Sequence, residues 1–236
     1  MSHRSKSKLV KDSFKIAIVG ESGVGKSSLL SQFVHGNFST DFVSTIGIDF
    51  GSKTIEIENS EKKTAENSNT TLPERYRILL KIFDTAGQKR FRTISEHYQS
   101  NNIDGVVLMV DITSALSYET AAQFITRSWE LADAGEKLPI LLVGNKIDLS
   151  SKRCIAREKF ETLAREHRVP YIEISVKESK VDCENVFKML SQDILKARER
   201  VPETIRVSID RDQSPTDQGC SWKQLFLGFP FCSYTP

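Results

Sequence analysis

The stretch Gly20-Glu21-Ser22-Gly23-Val24-Gly25-Lys26-Ser27 decides the fold of this chain. It follows an apolar run at 14–19 and precedes a segment with helical character at 28–34. A strand, a glycine-rich loop with the spacing G-x-x-x-x-G-K-S and a helix, in this order, are typical of a phosphate-binding loop. Its backbone N–H groups point into one concavity, and the helix N-terminus adds a positive dipole end. The stretch, with the adjoining Ser28, therefore predicts a polyphosphate site.

Two side chains of this loop have predicted roles of their own. Lys26 can reach the outer phosphates, and the Ser27 hydroxyl can bind Mg²⁺. A glycine-rich turn that binds nothing is the alternative interpretation, and the strand–helix context argues against it.

Composition excludes several classes of protein. The 236 residues are 39% hydrophobic and 27% charged with a net charge of +2, which is typical of a soluble globular protein and gives no reason to expect nucleic-acid binding. No apolar run approaches the ~20 residues of a membrane span. The four cysteines lack C-x-x-C spacing and indicate reduced thiols in a cytosolic protein. Ser2 follows the initiator Met1, which excludes N-myristoylation.

Strand and helix patterns alternate along the chain, which predicts a doubly wound α/β fold with a mostly parallel six-stranded sheet and one antiparallel strand. We expect a flexible basic arm at 1–13, one domain at 14–200 and a flexible tail at 201–236. Strands are predicted at 14–19, 48–58, 76–84, 105–110, 138–143 and 169–174. Helices are predicted at 25–34, 91–99, 116–133, 155–167 and 184–200.

A second loop, D-T-A-G-Q at 84–88, follows the third predicted strand. Ligands of such folds bind at the carboxyl ends of the strands. Asp84 can hold Mg²⁺ there, usually through water, and Gly87 leaves an N–H near a terminal phosphate. Gln88 is suited to orient a water molecule for in-line attack.

The sequence Asn145-Lys146-Ile147-Asp148 follows the fifth predicted strand. An aspartate can accept hydrogen bonds from both the ring N–H and the exocyclic amine of guanine, a pair of donors that adenine lacks. Because a buried acceptor without a partner is costly, Asp148 predicts selection of guanine. Ser175, Val176 and Lys177 follow the sixth strand and would close the site with a backbone N–H and a lysine stem.

These motifs, together with Thr45, resemble those of the Ras-like small GTPases, and the segments 44–50 and 90–94 resemble the Rab family. The resemblance covers residues 13–200. It implies a switch that binds GTP or GDP with Mg²⁺ and hydrolyses GTP slowly, with Gln88, Lys26 and Thr45 as catalytic residues. It also implies that Thr45 binds Mg²⁺ and the γ-phosphate, and that Phe38 packs against the guanine.

The resemblance implies partners as well. Residues 38–50 and 84–100 would be switch segments that order with GTP and relax with GDP. Exchange factors, GTPase-activating proteins and effectors would bind them, and Phe50, Phe83 and Tyr98 match the aromatic residues with which Rab proteins contact effectors. We expect the chain to be a monomer.

Four features depart from the family pattern. Phe83 replaces a tryptophan, Lys89 replaces a glutamate, Val176 replaces an alanine, and the loop 59–74 is long. Phe83 keeps an aromatic surface and Val176 is compatible with a backbone contact. Lys89 reverses a charge in the second switch segment, which is expected to alter recognition by an exchange factor.

The C-terminal sequence also departs from the family. Cys232 is fifth from the end, which is not a C-a-a-X prenylation motif, and neither Cys220 nor a basic patch replaces it. We therefore expect a mainly cytoplasmic protein that visits endomembranes peripherally through partners. Three alternatives remain open, namely a nucleotide-binding effector module without turnover, another Ras-like signalling GTPase, and another P-loop phosphotransferase such as a nucleotide kinase.

Overall fold

A computed structural model of the chain describes residues 13–38, 48–59, 74–85, 103–130 and 138–200. The chain divides into two units, Met1–Arg198 and Glu199–Pro236, and the first contains the whole sheet. Within the described ranges, no helix combines the length and apolar character needed to cross a membrane. The predicted domain boundaries at 13 and 200 stay predictions.

The described part of the chain forms one six-stranded sheet. Its strands are β1 (Ser13–Gly20), β2 (Ile48–Asn59), β3 (Glu74–Thr85), β4 (Gly105–Asp111), β5 (Ile140–Asn145) and β6 (Tyr171–Ile174). They lie in the order β2-β3-β1-β4-β5-β6. Only the β2–β3 pair of this sheet is antiparallel, which confirms the predicted fold class.

Helices cover both faces of the sheet. They are α1 (Lys26–His35), α2 (Ala115–Glu130), α3 (Arg157–Glu166) and α4 (Lys180–Arg200), with a 3-10 helix at Ile147–Lys152. One core cluster includes Phe33 of α1 and Phe187 of α4, whose ring centroids are 4.1 Å apart. The other includes Phe124 of α2 and Phe160 of α3. Every residue of β4 and β5 is buried, because these strands have helices on both sides.

Three boundaries differ from the predictions for local physical reasons. The last helix begins at Lys180 because Ser179 caps it, with its hydroxyl accepting from the Asp182 N–H at 3.1 Å. Helix α3 begins at Arg157, later than predicted, because Ala156 has an extended backbone, with φ −63° and ψ 144°. Strand β6 begins after Pro170, which has no N–H to donate to a ladder.

The fifth strand lies two residues later than predicted, because it continues to Asn145 opposite Asp111 of β4. The predicted helix at 91–99 lies outside the described residues. The β2–β3 connection, 60–73, leaves from the Asn59–Glu74 pair. Since β1 and β3 run parallel, that pair is at the opposite end of the sheet from the glycine-rich loop.

An ion pair stabilises this opposite end of the sheet. The Asp104 carboxylate contacts the Arg198 guanidinium at 2.6 Å and accepts from the Lys15 N–H at 2.7 Å. The guanidinium lies 4.6 Å from the centroid of the Phe14 ring. Helix α4 packs so closely here that a Cβ on Gly105 would be 2.9 Å from Ile194 Cδ1. These contacts join the end of α4 to the beginnings of β1 and β4.

Candidate nucleotide site

The loop between β1 and α1 has a backbone that only glycine adopts easily. Gly25 has φ 103°, and a Cβ added there would be 2.5 Å from the Asn145 side-chain nitrogen. Gly20 has φ 151°, and a Cβ there would be 2.4 Å from the Met109 carbonyl oxygen. Side chains at these positions would be strained and would clash. The loop therefore passes close to the ends of β4 and β5.

Lys26 is the first residue of α1, and its side chain extends back over this loop. Its ammonium donates to the Gly20 carbonyl at 3.0 Å and to the Glu21 carbonyl at 2.9 Å. The side chain is buried. Burial lowers the pKa of Lys26, whereas the nearby charges of Asp84 and Glu21 oppose that shift. The Lys26 ammonium is thus held at the loop by two carbonyl groups, and the oxygens of a phosphate group could accept its hydrogen bonds instead.

Ser27 and Asp84 form a hydrogen-bonded pair beside this lysine. The Ser27 hydroxyl donates to Asp84 Oδ2, and the Asp84 side chain is fully buried. Its Oδ1 atom has no hydrogen-bond partner within the described residues. Burial raises the pKa of Asp84, although the Ser27 hydrogen bond and the Lys26 charge act against it. A buried carboxylate oxygen without a donor, next to a hydroxyl, fits the oxygen ligands that Mg²⁺ prefers.

Asn145 joins three loops. Its amide nitrogen donates to the Val24 carbonyl at 2.8 Å, and its Oδ1 accepts from the Val176 N–H at 3.1 Å. The side chain is 3% exposed. The sequence assigned Asn145 to nucleotide binding, but here it connects the glycine-rich loop to the loop after β6. The Val176 N–H, predicted to contact the nucleotide, donates to Asn145 in this structure.

Asp148 lies in the 3-10 helix that follows β5. Its Oδ1 accepts a hydrogen bond from the Ser175 hydroxyl at 2.7 Å, so a side chain after β6 orients the predicted guanine-reading carboxylate. The Ser175 side chain is buried, whereas Lys177 is exposed. The two loops predicted to bind the base therefore contact each other directly.

Sequence reasoning missed two residues at this edge, Asp111 and Thr113. Asp111 Oδ2 is 2.7 Å from the Lys146 ammonium, and its Oδ1 accepts from the N–H and the hydroxyl of Thr113 at 2.8 and 2.7 Å. Burial disfavours the ionised Asp111, but these hydrogen bonds outweigh it and lower the pKa. An aspartate directly after the buried apolar run of β4 was the available signal.

Three further predicted residues, Phe38, Phe50 and Phe83, lie within the described ranges. Phe38 is half-buried and packs against the core cluster that contains Phe33. Phe50 and Phe83 are cross-strand partners with ring centroids 5.3 Å apart, and Phe50 is 54% exposed. The residues Thr45, Gly87, Gln88 and Tyr98 lie outside the described ranges, so their roles stay predictions.

Comparison with known proteins gives the family. The model of the Ras family matches residues 15–196. Ras-related protein Rab-13 of Rattus norvegicus is 41% identical over 182 residues, which is 77% of this chain and 80% of the relative. Ras-related protein Rab-10 of Diplobatis ommata is 37% identical over 197 residues, 84% of this chain and 88% of the relative. Ras-related protein Rab-8A of Bos taurus is 38% identical over 181 residues, 77% and 78% of the two chains.

The family match extends from β1 to α4 and includes every loop at the candidate site. The predictions of a Ras-like fold and of a Rab-like function are confirmed. The chain belongs to the Ras family, in which it is a Rab-like small GTPase, an enzyme that hydrolyses GTP to GDP in membrane trafficking.

Proposed function

We propose that this GTPase is a Mg²⁺-dependent switch whose nucleotide lies along the loops that follow β1, β3, β5 and β6. The observation that supports this most directly is the pair of Asn145 hydrogen bonds, to the Val24 carbonyl and from the Val176 N–H. They join a phosphate-binding loop to the loops proposed to read the base. One extended ligand with a phosphate end and a base end suits that arrangement.

At the phosphate end, the backbone N–H groups of the loop 20–28 and the Lys26 ammonium bind the phosphate groups. Thr45 and Gly87 contact the γ-phosphate. Ser27, Thr45 and Asp84 would hold Mg²⁺, which would neutralise negative charge on the phosphate groups.

At the base end, Asp148 accepts hydrogen bonds from the ring N–H and the exocyclic amine of guanine. Ser175 keeps the Asp148 carboxylate in place through the hydroxyl contact at 2.7 Å. Phe38 and the stems of Lys146 and Lys177 enclose the base. Adenine is rejected because it lacks both of these donors, so once the base covers Asp148 its carboxylate would keep only the hydrogen bond from Ser175.

Hydrolysis follows from positioning and charge. Gln88 orients a water molecule whose oxygen attacks the γ-phosphorus while the bond to the β–γ bridging oxygen breaks, which gives GDP and phosphate. Lys26 stabilises the charge that develops on the phosphate oxygens. An arginine supplied by an activating protein adds to that charge stabilisation.

Regulators and effectors bind residues 38–50 and 84–100, which differ between the GTP and GDP states. The exposed Phe50 ring beside Phe83, together with Tyr98, provides the apolar contact for effectors. The chain acts as a monomer in the cytoplasm and binds endomembranes peripherally through these partners.

Single-turnover hydrolysis of bound GTP by the purified full chain tests this proposal. We expect the parent to convert GTP to GDP in a Mg²⁺-dependent reaction and not to hydrolyse ATP. Gln88→Leu should still bind GTP but hydrolyse it much more slowly. Gln123→Leu, an exposed change on α2, is the matched control and should hydrolyse at the parent rate. GTP binding without turnover in the parent would instead identify a nucleotide-binding effector module.

A further inference from the structure

We infer that Asp111 is a positioning residue for the bound nucleotide, which holds Lys146 in place and so sets how slowly guanine nucleotide dissociates. The inference rests on the proposed function, because it requires the base to lie beside the loop after β5. It concerns a residue that contacts Lys146 rather than the nucleotide.

The fold brings Asp111 to this loop. Asp111 ends β4 and Asn145 ends β5, and the two residues are partners in the parallel ladder. The Ile112 N–H then donates to the Asn145 carbonyl at 3.1 Å, which extends the pairing one residue beyond the strands. Lys146, the next residue of the chain, therefore starts its turn directly beside Asp111.

Both carboxylate oxygens of Asp111 are engaged. Oδ1 accepts from the Thr113 N–H and hydroxyl, and Oδ2 contacts the Lys146 ammonium at 2.7 Å. Asp111 is 7% exposed, so few water molecules compete for it. A carboxylate fixed by two donors on one oxygen presents the other in a constant place, and charge-assisted bonds of this kind are the stronger ones.

The backbone of Lys146 has an unfavourable conformation, which the contact with Asp111 helps to maintain. Its φ is 71°, in the left-handed region, and it immediately precedes the 3-10 helix that contains Asp148. Non-glycine residues keep this conformation only where their surroundings impose it. The Leu149 N–H donates to the Lys146 carbonyl at 2.9 Å, and the ion pair with Asp111 fixes the side chain. Loss of that pair would free the lysine stem and loosen the turn that carries Asp148.

The ion pair also determines which group the Lys146 ammonium contacts. An ammonium neutralised by a carboxylate 2.7 Å away is retained at the end of β4 and is not available to the phosphate groups. The methylene stem of Lys146 is then the part left to contact the base. The effect of Asp111 should therefore be on residence time, with no effect on the hydrolysis of bound GTP.

The test measures dissociation of fluorescent GDP from the full-length protein after excess unlabelled GDP is added. Asp111→Asn keeps the shape and an acceptor for Thr113 but loses the charge, and we expect dissociation to become about tenfold faster, the size of one charge-assisted hydrogen bond. Hydrolysis of GTP already bound should keep its rate constant, whereas a general loss of structure would change both quantities.

Asp104→Asn is the matched control. Asp104 lies just before β4, is half-buried and also contacts a cation, Arg198, at 2.6 Å, but it is at the opposite end of the strand. Loss of the Asp104 charge should lower the denaturant concentration at the midpoint of unfolding and leave the rate of GDP dissociation unchanged. Thr113→Val removes one hydrogen bond to Asp111 and keeps its charge, so it should accelerate GDP dissociation less. It replaces Asp111→Asn as the test variant if that variant does not fold.

A double-mutant cycle with Lys146→Met completes the test. If Asp111 acts through Lys146, the double variant will release GDP no faster than Lys146→Met alone. Unchanged dissociation in folded Asp111→Asn, or effects that multiply in the double variant, would overturn the inference. A folded parent that retains no labelled GDP would refute the proposed function first, and the inference with it.

Discussion

At the scale of single residues, Asp148 is proposed to select the base, and its hydrogen bond from Ser175 shows how its carboxylate is held. Asp148→Asn should weaken GDP binding on the order of a hundredfold, since two hydrogen bonds to a charged acceptor are lost. Preference should move toward xanthine nucleotides, whose ring presents an acceptor where guanine has the amine. Competition binding of GDP and XDP measures both effects.

Ser175→Ala is the comparison for this prediction. It removes the hydroxyl at 2.7 Å from Asp148 but leaves the carboxylate, so binding should weaken modestly and the preference for guanine should remain. Full guanine affinity in Asp148→Asn would mean that another residue selects the base.

Much of the site could be predicted at this scale, because Lys26, Ser27 and Asp84 belong to short motifs with fixed spacing. The structure brings these three side chains together. The contact between Asp111 and Lys146 could not be predicted in the same way. It joins the last residue of β4 to the residue that follows β5, and only the register of the two strands places them side by side.

At the scale of elements, strand β6 is attached to the segment between β5 and α3 by Arg153 and Glu173. The two guanidinium nitrogens Nη1 and Nη2 of Arg153 are each 2.9 Å from one oxygen of the Glu173 carboxylate. Glu173→Gln should lower the free energy of unfolding by about 1–3 kcal/mol, because a largely buried pair loses its charge-assisted bonds. Urea unfolding measures the change. Glu161→Gln, whose pair with Arg157 on α3 is exposed, should cost less than about 0.5 kcal/mol.

The same pair predicts a dependence on pH. Burial disfavours the ionised Glu173, but hydrogen bonds from Arg153 and Tyr171 outweigh it and lower the pKa. A group with a lower pKa in the folded state contributes stability above its unfolded pKa and loses it as pH falls through the folded value. The unfolding midpoints of parent and Glu173→Gln should therefore differ at pH 7 and converge below about pH 4. A difference that persists at lower pH would argue against this account.

The sequence predicted whether each segment is a helix or a strand more reliably than it predicted where the segment begins and ends. The unbroken apolar runs of β4 and β5 are fully buried between helices, and long amphipathic patterns became α2 and α4. The ends depended on local features such as the extended backbone of Ala156 before α3 or, at α4, a single hydrogen bond, the cap from Ser179. Residue periodicity carries no information about such features.

At the scale of the whole molecule, the proposed nucleotide site uses residues at the ends of β1, β3, β5 and β6, four strands that span most of the described sheet. A ligand that contacts them all should stabilise the domain against global unfolding, by about 4 kcal/mol at a concentration a thousand times its Kd. We expect Mg²⁺ with GDP to raise the Tm of the full chain, ADP to have no effect, and EDTA to reduce the gain. Differential scanning calorimetry measures the shift.

Ser27→Asn is the matched variant for this prediction. It replaces the hydroxyl that contacts Asp84, so EDTA should change its Tm less than that of the parent. GDP should protect it better than GTP, because the more highly charged triphosphate would depend more on charge neutralisation by Mg²⁺. Equal EDTA effects in parent and variant would place the metal elsewhere.

The central position of β1 has a consequence for local opening of the protein. β1 is bonded to β3 on one side and to β4 on the other, whereas β2 and β6 are the edge strands of the described sheet. Amide protons of β1 should therefore exchange with solvent only when the whole sheet separates, and those of β6 also through local fraying. The glycine-rich loop follows an internal strand, whereas the loop after β6 follows an edge strand. We therefore expect the proposed base end of the site to open locally before the proposed phosphate end.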